Sequence, residues 1–268
     1  MKTSAIICSL TTTLVFTLGA AKGVEKPAPD PVKDKAAFQG AADGKWREVF
    51  SDTGTGDWKQ RWFLDGECGT VKNSTKGMEL TAGPEFGNNA HHMVLWTKDN
   101  FAGDLKIDYE YTRLDEANRC VNILYIQATG SGKKPYVKDL TQWNELRKAP
   151  TMSLYFDHMN TYAISYASFP DKHIRARRYM PEKNGLKGTD LAPDYFPDGY
   201  FKTGVPHKIT VVKKARDLFV CMENAEQTLY CHMSNPDLPE ITEGRIGLRQ
   251  MFTRAALYRN FRVSMPDK

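Results

Sequence analysis

Alternation of apolar and polar residues with a period of two recurs along most of the chain, and nothing else in the sequence limits the fold so strongly. Leu105, Ile107, Tyr109 and Tyr111 alternate with Lys106, Asp108, Glu110 and Thr112. Successive side chains of a strand point to opposite faces, so one set should enter a core while the other stays polar. Asn122, Leu124 and Ile126 oppose Ile123, Tyr125 and Gln127 in the same way, and Tyr162, Ile164 and Tyr166 oppose Ala163 and Ser165. Ile174 and Ala176 oppose Arg175, Arg177 and Tyr179; Ile209 and Val211 continue the series, as do Ile246 and Leu248 opposite Gly247 and Arg249. One window, 137–148, carries a helical stripe, with Leu140, Trp143 and Leu146. Many strands, frequent Gly and Pro punctuation and no βαβ rhythm predict an all-β chain: a jelly-roll β-sandwich of two antiparallel sheets with a concave binding cleft. No repeat of fixed period is visible, which argues against a propeller or solenoid.

The first residues read as a targeting segment. Lys2, an apolar run over 5–20 and the small residues Gly19, Ala20 and Ala21 predict a signal peptide over residues 1–21, with Cys8 inside it and no lipoprotein pattern around that cysteine. Residues 22–45 hold Pro27, Pro29, Pro31 and several charges, and are expected to be a flexible linker. Residues 46–268 are then one domain, a length that a β-sandwich routinely occupies. No later stretch approaches the roughly 18 apolar residues of a membrane span, so a soluble, secreted or periplasmic protein is expected, with no membrane partner.

Cys68, Cys120, Cys221 and Cys231 remain, an even number for an oxidising compartment. Cys221 and Cys231 flank a hairpin centred near Glu226 and are the expected disulfide; Cys68 with Cys120 follows by elimination. Four buried thiols are the alternative.

Net charge is +5, and arginines gather at Arg175, Arg177 and Arg178 and again at Arg245, Arg249, Arg254, Arg259 and Arg262. Such clusters often bind nucleic acid, but export makes an acidic polysaccharide or oligosaccharide the expected partner and nucleic acid not. A solvated basic face is the plainer reading.

If the polar members of each strand share a cleft, it contains Asp108, Glu110, Tyr125, Gln127, position 163, Ser165, Arg175, Arg177, Tyr179 and Arg249. A lyase acting on uronic acids needs a group to neutralise the sugar carboxylate, a base for the neighbouring proton and an acid for the departing oxygen. The planar fork of Arg175, Arg177 or Arg249 suits the first role, with Gln127 assisting. Tyr125 or Tyr179 suits the acid. Trp96 is a candidate sugar platform, and His92 and His158 are candidates at the cleft edge. Each has a structural counterpart: arginines pairing with Asp108 and Glu110 across strands, tyrosines and Trp96 packed in a core, histidines with no ligand.

Asp108 and Glu110, two apart on one strand face and so about 7 Å apart, would also permit glycoside hydrolysis, whose paired carboxyls are roughly 5 to 9.5 Å apart. The E-x-D-x-E strand of jelly-roll hydrolases is absent, since Lys106 stands two residues before Asp108, where the first Glu belongs. A non-catalytic carbohydrate-binding module is the third reading. Gly130, Ser131, Gly132 and Lys133 look like a phosphate loop, but Gln127 and Lys134 stand where Gly and Ser or Thr belong. His91 and His92 would face opposite ways on a strand and make a poor metal site. No cofactor is required by this reading, and a structural calcium ion is compatible with it.

The stretches VLWTKDNFAGDLKIDYEYTRLD, VNILYIQATG, NTYAISYASF, IRARRYMP and GRIGLRQMFTR resemble the YesU-like bacterial family of concanavalin-like jelly-roll proteins, which is associated with polysaccharide breakdown. The resemblance covers roughly residues 46–263 and implies the same fold and setting. It also implies a His where this chain has Ala163, and another where it has Gln250. A His at 163 would be the general base, so this chain should lose a factor of about 10² to 10⁴ in proton abstraction. An inactivated variant and a naturally divergent binder would both carry such a change. The combined expectation is a polysaccharide lyase working by β-elimination, with position 163 emptied of its base.

Overall fold

The computed structural model describes residues 27–267; the signal peptide expected over 1–21 lies outside them. Sixteen strands follow in order: β1 (Trp46–Asp52), β2 (Trp62–Asp65), β3 (Thr70–Ser74), β4 (Gly77–Thr81), β5 (His92–Thr97), β6 (Phe101–Ala102), β7 (Leu105–Arg113), β8 (Cys120–Gly130), β9 (Met159–Phe169), β10 (Ile174–Tyr179), β11 (Asp190–Tyr195), β12 (Pro206–Lys214), β13 (Asp217–Glu223), β14 (Thr228–Met233), β15 (Glu243–Met251) and β16 (Ala255–Pro266). They form two antiparallel eight-stranded sheets. The first runs β14-β13-β12-β7-β16-β4-β3 with β1 beside β16; the second runs β11-β10-β9-β8-β15-β5-β2 with β6 beside β15. This is the jelly-roll sandwich that the alternation predicted.

The main core lies between the sheets. Leu105, Ile107, Tyr109 and Tyr111 of β7 face Leu124, Ile126, Tyr162, Ile164 and Tyr166 of β8 and β9. All were assigned inward by their spacing. Among the described residues no helix is long and apolar enough to cross a membrane.

Two expectations are corrected here. The segment read as a flexible linker contains a helix, α1 (Pro31–Ala42). Asp30 caps it, accepting from the Lys33 amide, and Pro31 takes the first turn, where its missing N–H costs nothing. Phe38 and Ala41 are buried against Val212 and Phe219 on the outer face of the first sheet. Tyr195 donates to the Asp34 carboxylate at 3.0 Å, tying the helix to the edge of the second sheet. Few apolar residues suffice because the helix borrows a sheet face to bury them.

The predicted disulfides do not form: all four cysteines are free. Register pairs Cys221 with Tyr230 and Cys231 with Val220. Cys231 therefore points into the main core, while Cys221 faces the α1 layer. A one-residue slip in register exchanges the faces of a strand, and two thiols on opposite faces cannot bridge. Cys68 is exposed, whereas burial pushes the Cys221 thiol up to about 11 and raises those of Cys120 and Cys231. A thiol reagent is expected to label Cys68 promptly and the other three only slowly until the protein unfolds. Intact-mass analysis over time checks this; a native protein with no reactive thiol would overturn it.

Candidate functional site

Register across the second sheet lines up side chains on its outer face. One row runs Phe63, Trp96, Gly247, Tyr125, Ala163, Arg177 and Asp190. Beside it runs a second: Asp65, Val94, Arg249, Ile123, Ser165 and Arg175. These rows unite most of the residues assigned to a cleft, but the face is two different environments.

Its β2–β5–β15–β8 half is covered. The connection from β8 to β9 folds back over it through a 3₁₀ segment, Leu140–Arg147, and a short helix, α2 (Met152–Phe156). A second hydrophobic cluster results, containing Val94, Trp96, Ile123, Tyr125, Leu140, Trp143, Tyr155, Ala163 and Tyr179. Of the helical stripe read in the sequence, Leu140 and Trp143 are buried here, while Leu146 is exposed. Trp96 lies over Gly247, where a Cβ would come within 2.5 Å of the indole ring, so only glycine admits it. Trp96, Tyr125 and Tyr155 stack, with centroids 5.4 Å apart for Trp96 and Tyr125 and 5.7 Å for Tyr125 and Tyr155.

A polar group anchors this cover. The Asp65 carboxylate accepts from Arg147 Nε at 2.6 Å, Trp96 Nε1 at 2.7 Å, Tyr155 Oη at 2.9 Å and Asn144 Nδ2 at 2.6 Å. Arg147 also donates to the carbonyls of Leu140 and Trp143. Nearby, Arg249 donates through Nη2 to His92 Nδ1 and to the Pro150 carbonyl, each at 2.5 Å. A guanidinium only donates, so His92 must be neutral with its proton on Nε2. Burial, reinforced by the Arg249 charge, holds His92 down to about 3.

Several expected site residues are therefore interior. Trp96 is no sugar platform, since both its ring and its N–H are used within the protein. His92 and Arg249 are sealed beneath the cover. Tyr125 and Tyr179 are buried, and burial raises both hydroxyls above the ordinary tyrosine range.

Three other residues leave the face altogether. Gln127 adopts a left-handed backbone conformation (φ 53°) where the β8–β9 register shifts, and its amide donates to the carbonyls of Phe101 and Gly103. Asp108 and Glu110 belong to the first sheet, on the opposite side of the sandwich, where they accept from Thr210 and Asn260. Alternation assigns a residue to one of two faces but cannot say that faces from different sheets are remote.

The β9–β10–β11 half remains partly open. It presents the half-buried Ser165, Arg175 and Arg177, while Ala163 beside them is buried in the covered cluster. Arg175 pairs with Asp194 at 2.7 Å and Arg177 with Asp190 at 3.0 Å, so the arginines do find acidic partners, though not Asp108 and Glu110. His158 lies outside both rows, stacked on Tyr136 with centroids 3.6 Å apart. Gln250 points inward, bridging Asn122 and Tyr258, so the second departure from the family pattern sits in the core.

The arginine cluster of the last strands also disperses. Arg245 donates to the Thr97 and Lys98 carbonyls, and Arg249 is interior. Arg254 joins Arg113 on the buried Asp115 carboxylate, while Arg262 lies near Glu48. It is not one basic patch. Sequence reasoning missed Asp65, Asn144, Arg147 and Tyr155, which carry no periodic signal. Among the described residues no group of three or more His, Cys, Asp or Glu is placed to hold a metal ion.

Two antiparallel sheets with a partly covered outer face define a galectin-like jelly-roll protein. The chain belongs to the family described as Domain of unknown function (DUF1961), whose model matches residues 54–263. No curated protein sequence matches it. Among solved structures it is similar to a Bacillus subtilis protein of unknown function with a galectin-like fold, at 18% identity and TM-score 0.58, covering 83% of this chain and 100% of that one. That neighbour agrees with the YesU-like resemblance in fold. The carbohydrate recognition domain of Emp47p follows at 11% identity and TM-score 0.54, covering 83% and 98%. The exoplasmic/lumenal domain of VIP36, bound to Ca²⁺ and Man₃GlcNAc, matches at 9% identity and TM-score 0.53, covering 82% and 89%. At these identities the likeness is one of fold.

Proposed function

We propose that this is an exported protein that recognises an acidic oligosaccharide on the open half of the second sheet's outer face, around Arg175 and Arg177. The observation that carries the reading is the row in which Ala163 stands between Tyr125 and Arg177, with Ser165 and Arg175 alongside. Arg177 commits its Nε to Asp190, and Arg175 its Nε and Nη2 to Asp194, which orients each planar fork. A fork held in this way is suited to a sugar carboxylate. The fold neighbours include a carbohydrate recognition domain and a mannoside-bound domain, which supports a glycan as the ligand class.

In its present form the row is a binder rather than a catalyst. Tyr125 and Tyr179 are held neutral by burial and lie in the covered cluster, out of reach of a bound glycan. Asp190 and Asp194 are engaged with the arginines, and alanine occupies the remaining position.

The second reading, β-elimination, follows from the same row. A histidine at 163 would stand between a neutral tyrosine and an arginine pair. It would take the proton beside the carboxylate; the electron pair would form the new carbon–carbon double bond as the bond to the departing oxygen breaks, and that oxygen would collect a proton from water on the open half. Titration calorimetry against uronate-containing polysaccharides should detect binding by the native protein, and Arg177→Ala should weaken it about 10-fold, the loss of one charge-assisted contact. Only Ala163→His should generate the ultraviolet absorbance of an unsaturated uronic product. Reducing ends without that absorbance would replace elimination by hydrolysis and direct attention to Asp108 and Glu110. No binding to any acidic glycan would refute the proposal.

A further inference from the structure

A pocket of about 410 Å³ opens at the end of the second sheet, outside the two rows. Its walls come from the turn after β8, which presents Lys133, Lys134 and Tyr136, from Asp157 and His158 after α2, and from Glu182 after β10. This volume falls within the range of small-molecule sites, about 300–1,000 Å³.

The turn is built to hold its shape. Gly130 donates to the Lys138 carbonyl at 3.0 Å, Ser131 to that of His158 at 2.8 Å and Gly132 to that of Tyr136 at 2.9 Å. A Cβ at Gly130 would stand 2.1 Å from the Val137 carbonyl oxygen, so the chain crosses there only as glycine. The glycine-rich stretch that looked like a phosphate loop thus makes a closed turn that carries two exposed lysines. Below it the Tyr136 and His158 rings stack within 7° of parallel, giving the pocket a rigid aromatic wall. Asp157 Oδ1 is buried and accepts no hydrogen bond within the protein. That oxygen is also closed to solvent, so the acceptor open to a sugar hydroxyl is the exposed Glu182 on the pocket wall.

We propose that this pocket binds a single uronic-acid residue and forms the end subsite of the glycan face, an assignment that rests on the reading above. Lys133 and Lys134 face the sugar carboxylate, Glu182 accepts from its hydroxyls, and the Tyr136–His158 stack borders the ring. Asn160, on the pocket wall, and Ala163 are three residues apart on β9, about 10 Å. The odd separation puts the two side chains on opposite faces of the strand, so an acidic oligosaccharide held by the Arg175–Arg177 pair bends around the end of the sheet to place its last residue in the pocket.

The test is calorimetric titration of the full chain with D-glucuronate, D-galacturonate, D-glucose and tetrasaccharides of the two uronic acids. Lys133→Ala/Lys134→Ala, two exposed and therefore benign changes, should weaken uronate and tetrasaccharide binding at least 10-fold and flatten its salt dependence. Glucose should bind more weakly than either uronate. If the lysine pair variant binds like the native protein while Arg177→Ala still weakens the tetrasaccharide, the pocket assignment falls and the open-face reading stands. If the lysine variant loses affinity and Arg177→Ala does not, the open-face reading falls and the pocket is the site. Absence of binding by every probe overturns both.

Discussion

Asp65→Ala should lower the unfolding free energy by about 3–5 kcal/mol, the range for removing one partner of a buried ion pair. The carboxylate and the Arg147 guanidinium are both fully buried, 2.6 Å apart. Its removal would strand Arg147 Nε, the Trp96 indole N–H and the Tyr155 hydroxyl together, because all three donate to the same oxygen. Water cannot reach them without lifting the cover. Urea denaturation, with near-ultraviolet dichroism reporting the Trp96–Tyr125–Tyr155 stack, is the measurement. A loss under about 1 kcal/mol, typical of an exposed ion pair, would mean that the cover is not anchored at Asp65.

Acid should destabilise the protein through His92. Its folded value is lowered to about 3 from an ordinary 6.5. The unfolded chain therefore takes up the proton first, and stability falls as pH drops from about 6.5 toward 3, by at most about 1.4 kcal/mol per unit. Burial away from water is the main cause, and the groups around the ring add to it. Arg249 repels an imidazolium and already donates to Nδ1, His91 adds a weaker repulsion, Phe252 lies edge-on to the ring at 4.1 Å, and only the Pro150 carbonyl favours the charge. His207, lowered by burial, acts in the same direction. Urea midpoints measured between pH 3.5 and 7 (a range chosen to bracket the ordinary histidine value near 6.5) should therefore slope less steeply for His92→Asn than for the native chain. Equal slopes would remove His92 from the account.

The sequence carried the strands and their inward faces. In β7, β9 and β10 every residue assigned to the core is there, because strict alternation leaves one solution once a face is buried. It did not carry the cover. The clue was present in β5, where Met93, Val94, Leu95 and Trp96 form an unbroken apolar run, the mark of a strand buried on both faces. Such a run shows that something lies on the second face without naming Leu140, Trp143 and Tyr155 as its source. Trp96, Tyr125 and Arg249 were accordingly read as cleft residues. Gln127 escaped because a single left-handed residue turns its side chain out of the row. Cys221 and Cys231 were misassigned by one position of register, and α1 was hidden by its charges although Asp30, Pro31 and Phe38 mark its start and its buried face. Ala163, Arg175 and Arg177 were placed on one face by alternation, and register now makes Ala163 and Arg177 direct neighbours.

The connection between β8 and β9 joins neighbouring strands, where a two-residue turn would have closed the hairpin. Everything from Ser131 to His158 is thus surplus to the sandwich. Doubling the length of such a connection costs only about 0.6 kcal/mol in closure entropy. The same segment supplies the lid over the aromatic stack and two of the three walls of the terminal pocket. Exchange of this one continuous stretch of chain would therefore re-line both the pocket and the covered face, with both sheets left as they are.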